Sequence, residues 1–169
     1  LLYHFTLLPA VMTAVYTAFL FAQAKARDLW QSPLLPAHLL VQAVMAGAGA
    51  TTLMCSLVGD NSETFLVSNL VLGASLLVHL GLILGGEVMI EHSSKAKERA
   101  VRLMTCGPYS HVFWGLGMVA GGLIPLALIV WGLAFGLGVY GPIAAGLSLI
   151  GLLAYEHCFV LAGQSIRLS

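Results

Sequence analysis

Charge is what this sequence has least of. Its 169 residues include seven Lys or Arg and seven Asp or Glu, 8% in all, beside 59% apolar side chains and a mean hydropathy of +0.96. A soluble domain carries about 25% charged residues, so these few cannot coat a globule of this length. The shortage excludes a soluble enzyme, a disordered tail and a nucleic-acid binder with a basic face. Cysteine is scarce as well. Cys55, Cys106 and Cys158 stand far apart, with no C-x-x-C and no C-x-x-C-H, which argues against a disulfide framework, a zinc knuckle or covalently attached haem. No protein-bound metal is expected.

What the sequence has instead is long uncharged runs. Residues 3–24, 34–59 and 64–86 contain no charge, and Val112 to Tyr155 contains none over more than forty residues. A helix needs about 20 apolar residues to cross the hydrocarbon. The expected fold is therefore an all-α integral membrane protein with about five transmembrane helices in a single helical domain, 1–169. The spans are placed at about 3–24, 34–58, 65–90, 112–133 and 140–164. The fourth turns into the fifth through the glycine-rich Phe135-Gly136-Leu137-Gly138, followed by Gly141-Pro142.

Charge orients the set. Lys25 and Arg27 follow the first span, Lys95, Lys97, Arg99 and Arg102 follow the third, and Arg167 follows the fifth. With five spans these segments share one side, and the opposite loops carry Asp60 and Glu63 but no basic residue. The positive-inside rule makes the basic side cytoplasmic, with a cytoplasmic C-terminus. The chain starts without Met, basic n-region or cleavage site, inside a hydrophobic run. It reads as the C-terminal part of a larger helical bundle. The linker 91–110 repeats Ala96, Ala100, Leu103 and Met104 at helical spacing among its charges. It suggests an amphipathic helix on the inner leaflet, stopped by Gly107-Pro108, that anchors to anionic lipid or docks a partner.

Polar residues inside the spans fall in stripes at about 100° per residue. The first span carries Thr6, Pro9, Thr13, Tyr16, Thr17 and Gln23; the second His38, Gln42, Gly49, Thr52 and Ser56; the third Ser68, Asn69, Ser75, His79 and Glu87. Such faces are expected to look into a bundle interior. Thr, Ser and Gly there commonly only let helices approach. Ionisable groups differ, since a charge at mid-bilayer costs at least ~2.5 kcal/mol. Glu87 lies about a turn inside the cytoplasmic end, with Glu156 and His157 at similar depth. His79 is deeper by about 12 Å. His38, close to the interface, reads as structural, and His79 equally as a satisfied core histidine or a proton carrier. On the other side, Tyr3 fits an interfacial anchor, whereas Tyr16 sits deep enough for its hydroxyl to need a partner.

The ordered motifs resemble those of the NrfD/PsrC family, the membrane subunit of polysulfide reductase and related respiratory complexes. They are Val15-Tyr16-Thr17-Ala18-Phe19-Leu20 with Ala24-Lys25-Ala26-Arg27-Asp28-Leu29-Trp30 and Ser32-Pro33-Leu34-Leu35-Pro36; Gly85-Gly86-Glu87 with Leu103-Met104-Thr105-Cys106-Gly107-Pro108-Tyr109; and Tyr155-Glu156-His157 through Ala162-Gly163-Gln164-Ser165. The likeness covers nearly the whole chain. The family fold has eight or more helices in two bundles, so five spans match its C-terminal portion.

The resemblance implies a quinone-reactive subunit of a respiratory oxidoreductase in the bacterial cytoplasmic membrane, part of a complex rather than an enzyme alone. It implies exchange of electrons with an iron–sulfur partner and a catalytic redox subunit, use of menaquinone or ubiquinone, and no haem of its own. Tyr16, His4 and Thr13 are the expected quinone contacts, with no catalytic residue assigned. Glu87, His79, Glu156 and His157 are the expected proton pathway if the second bundle moves protons. A b-haem anchor, using His38 and His157 as ligands, and a proton-coupled transporter are the competing classes.

Overall fold

The structure is a computed structural model, and it describes residues 2–24, 27–59, 63–89 and 94–166, with side chains from residue 5 onward. Lys25, Asp60, Ile90, Arg167 and the side chains of Tyr3 and His4, used above, lie outside that description. Its elements are helical throughout: α1 (Leu2–Ala22), α2 (Leu35–Val58), α3 (Glu63–Gly81), α4 (Lys95–Thr105), α5 (Ile124–Phe135) and α6 (Leu137–Ser165). Two π-helical segments complete it. One, Leu82–Val88, prolongs α3, and the other, Val112–Leu123, leads into α5. Five of the resulting rods are long and apolar enough to cross a membrane: 5–22, 35–58, 63–88, 112–135 and 137–165. This is an all-α membrane protein.

Local chemistry sets the helix ends. Pro36 lies in the first turn of α2, where a missing N–H costs nothing, and Gly59 ends the helix at φ 73° with its N–H on the carbonyls of Cys55 and Ser56. The last hairpin is tighter than the glycine pattern suggested. Gly136, at φ 114°, makes the whole reversal, and α6 restarts at Leu137. Gly141 and Pro142 therefore fall inside α6 rather than in a turn.

The helices α2, α3, α5 and α6 form the packed body. At one crossing Gly121 faces Gly151 so closely that a Cβ on either would collide with the backbone of the other. Such contact without side chains is how membrane helices gain dispersion energy where lipid supplies no hydrophobic drive. One apolar cluster holds Met45, Leu72, Leu76, Ile129, Ala144 and Ala145. A second, toward the end where α4 lies, includes Leu35, Ile83, Met104, Phe113, Tyr155 and Phe159.

The polar stripes separate into two kinds. His38, Gln42 and Thr52 of α2 are buried, as are Ser68, Asn69, Ser75, His79 and Glu87. Of the α1 stripe, Thr13 and Tyr16 are exposed and Thr17 is half-buried, because α1 packs chiefly against α2 and, among its described side chains, turns only Ala18 fully toward the body. Ser56 at the far end of α2 is exposed too.

The basic end is closed by side-chain staples. Arg27 Nη1 donates to the carbonyls of Gly163 (2.6 Å) and Ile166 (3.2 Å), which the end of α6 leaves without helical partners. Ser94 caps α4 by accepting from the Lys97 N–H and donates its hydroxyl proton to Asp28 Oδ2. Lys97 itself is buried, with Nζ donating to Ser32 Oγ at 3.1 Å.

Candidate functional site

Three helices bring titratable side chains together just inside that closed end. His38 sits one turn into α2, His79 lies near the end of α3, and Tyr155 lies on α6. Glu87 belongs to the π-helical segment, whose wide turn is marked by the Met89 N–H bonding Leu84, five residues back, at 2.9 Å. At 100° per residue, Glu87 would sit about 80° around the helix from His79. A π-helix holds more residues in each turn, so each residue advances by a smaller angle. The winding therefore swings Glu87 toward the face of His79.

The geometry is compact. The Tyr155 hydroxyl donates to Glu87 Oε2 at 2.8 Å, and His38 Nε2 lies 3.6 Å from Glu87 Oε1. The His79 ring meets Tyr155 edge-on at 5.1 Å, and the two histidine rings are 6.1 Å apart. Phe113 and Phe159 pack around Tyr155. Glu87 is only 2% exposed, and both histidines and the tyrosine are buried.

The cluster also has unused capacity. Both His38 nitrogens, His79 Nδ1 and Glu87 Oε1 are buried and lack a hydrogen-bond partner among the described residues. The Leu82 backbone comes near His38 but makes no hydrogen bond of normal geometry with it. Leaving one such atom unsatisfied costs about 1–3 kcal/mol. Beside the cluster is a cavity of about 150 Å³ between α1, α2 and α6. Thr17, Phe21, Leu35, Leu39, Phe159 and Val160 form its walls, and His38, Gln42, Tyr155 and Glu156 supply its polar groups. A carboxyl, a phenol and two imidazoles in contact can pass protons among themselves and to a ligand in that space.

Of the residues singled out in the sequence, Glu87 and His79 meet in the cluster. Glu156 lines the cavity but is otherwise exposed, and His157 is on the exposed face of α6. His38 is buried, whereas His157 is exposed. Tyr16 is 59% exposed, and Thr13 Oγ1 donates to the Pro9 carbonyl at 2.8 Å. Neither joins the cluster, and the His4 side chain lies outside the description. Two members were not singled out as site residues. Tyr155 carried a signal, since a phenol this deep in an uncharged run needs a partner. His38 reads as structural from its closeness to the interface, yet it is 1% exposed and packs against Glu87, His79 and Tyr155.

The family model described as "Polysulphide reductase, NrfD" matches residues 1–167. Nothing among the curated proteins or the solved structures matches the chain.

Proposed function

The chain belongs to the NrfD family, whose members are membrane subunits of quinone-interacting oxidoreductases, and from that premise we propose that it exchanges electrons between a membrane quinone and an iron–sulfur partner while its Glu87 cluster conducts protons. The observation that carries the proton path is the Tyr155–Glu87 hydrogen bond within a buried group that includes two histidines. Such groups are expensive in a membrane and mark relays rather than packing.

Quinone chemistry couples two electrons to two protons. It therefore needs donors for the ring oxygens and a titratable route to water. On this reading Tyr16, on the exposed face of α1, and His4 offer donors to menaquinone or ubiquinone, while Thr13, whose hydroxyl proton goes to the Pro9 carbonyl, keeps a lone pair that can accept from a quinol hydroxyl. The Tyr16 hydroxyl is at the surface where a ligand or neighbouring helix reaches it. Glu87, His38, His79 and Tyr155 carry protons, with Glu156 at the cavity mouth; His157 has no contact with them in support of a role.

The basic end is placed on the cytoplasmic side of a bacterial inner membrane by the charge rule. A catalytic redox subunit beyond the iron–sulfur protein completes the complex, as family members assemble with such subunits in general. Replacing Glu87 by Gln keeps shape and hydrogen bonding but removes titration. In liposomes holding the whole complex, E87Q should leave quinol turnover nearly intact and lower protons moved per electron. An unaltered ratio refutes the relay.

A further inference from the structure

We infer that the cavity between α1, α2 and α6 is a second site for the ring of a quinone, separate from the α1 face that carries Tyr16. The inference rests on the quinone reactivity proposed above. Size is the first argument. The cavity measures about 150 Å³, and an apolar protein cavity of about that volume takes up benzene, so one six-membered ring fits. The distribution of its chemistry is the second. Phe21, Leu39, Phe159 and Val160 give apolar walls for a ring, while the polar groups gather on the α2 and α6 sides.

His38 is the third and decisive observation. It lines the cavity, is 1% exposed, and neither of its buried nitrogens has a hydrogen-bond partner among the described residues, so a turn of the imidazole would bring one to a ligand in the cavity. A neutral imidazole offers one N–H donor and one acceptor nitrogen. A quinone carbonyl can take the donor, and a quinol hydroxyl can use either. A lipid acyl chain in the same space would leave both nitrogens unsatisfied. The Tyr155 hydroxyl is already committed to Glu87, so His38 and the Gln42 amide one turn along α2 are the groups placed to meet the ring oxygens. With Glu87 Oε1 3.6 Å beyond His38 Nε2, a ring held here borders the proton cluster directly.

The test uses the whole complex in liposomes and a photoreactive azido-benzoquinone with a short isoprenoid tail. After irradiation, label should be recovered on cavity residues of α2 and α6, and excess short-chain ubiquinone should displace it. His38→Phe keeps a ring but removes both nitrogens, and should weaken probe binding roughly two- to tenfold. Val160→Trp fills the space and should cut label on α2 and α6 at least tenfold relative to label elsewhere in the complex. If Val160→Trp does not assemble, Leu39→Phe serves the same purpose. Competed label on other helices with none on α2 or α6 would overturn the second site and leave quinone reactivity standing. Label on α2 or α6 that ubiquinone does not displace, or that survives cavity filling, would equally overturn it. No competed label anywhere, together with no quinol oxidation, would remove both readings.

Discussion

Replacing Tyr155 by Phe isolates one atom at the centre of the site. The ring keeps its contacts with His79, Phe113 and Phe159, so no cavity opens and the cavity cost of a large-to-small change does not arise. What is lost is the 2.8 Å bond to Glu87 Oε2. Glu87 Oε1 already lacks a hydrogen bond among the described residues, so the variant leaves both carboxyl oxygens without one. The size of the loss depends on the charge of Glu87. A bond to a charged group contributes about 1.5–3 kcal/mol and one between neutral groups about 0.5–1.5 kcal/mol. Glu87→Gln provides the neutral reference, because its amide oxygen still accepts from the phenol. Reversible unfolding in mixed micelles should therefore give Tyr155→Phe a cost of about 0.5–1.5 kcal/mol when made on top of Glu87→Gln. In the native background a clearly larger cost identifies an ionised carboxylate, and an equal cost identifies a protonated one. A cost below about 0.5 kcal/mol in both backgrounds would refute the claim that this hydroxyl holds the carboxyl in place.

Gly121→Ala should destabilise the chain by about 1–3 kcal/mol or more, because its Cβ meets the backbone of Gly151 rather than a movable side chain. Gly47→Ala, with nothing near its Cβ, should be tolerated; equal behaviour of the two in the same unfolding assay would refute the crossing. A periplasmic reporter inserted between Asp60 and Glu63 should be active and one after Arg167 inactive, and the reverse pattern would invert the orientation. Tyr16→Phe should slow quinol turnover severalfold to about tenfold without loss of assembly, the effect of one neutral hydrogen bond. Unchanged kinetics would leave α1 as scaffold.

The number of spans was legible because charge is so sparse that each uncharged run declares itself. The direction of the first polar stripe was not. Thr13 and Thr17 each donate to the carbonyl four residues back, so their hydroxyls are satisfied within α1 and require no bundle around them. Polar residues that can bond their own helix therefore say little about which face is inside. Glu, His and Tyr cannot do so, and those of the second and third stripes, His38, His79 and Glu87, are buried. Lys97 escaped for another reason. A helical wheel groups it with the exposed charges of α4, but α4 lies against the bundle end and Lys97 finds Ser32 there. The π winding at Leu82–Val88 was invisible for the same kind of reason, since a periodicity of 3.6 is assumed before any wheel is drawn.

The motifs that carry the family resemblance divide by what they do in space. Arg27, Asp28 and Ser32 before α2 fasten α4 and the end of α6, through Gly163, Ser94 and Lys97. Glu87 and Tyr155 build the cluster lying just beneath. The two sets depend on each other physically. A buried carboxyl beside histidines is tolerable only where water access is controlled and every nearby charge is placed, and the staples supply that closure with Lys97 as the one buried cation among the described residues. A fold selected for stability alone would have no reason to close a cap over His38, His79 and Glu87 with four polar atoms unsatisfied. On the proposed reading, the capacity left open there serves protons and a ligand that brings its own oxygen.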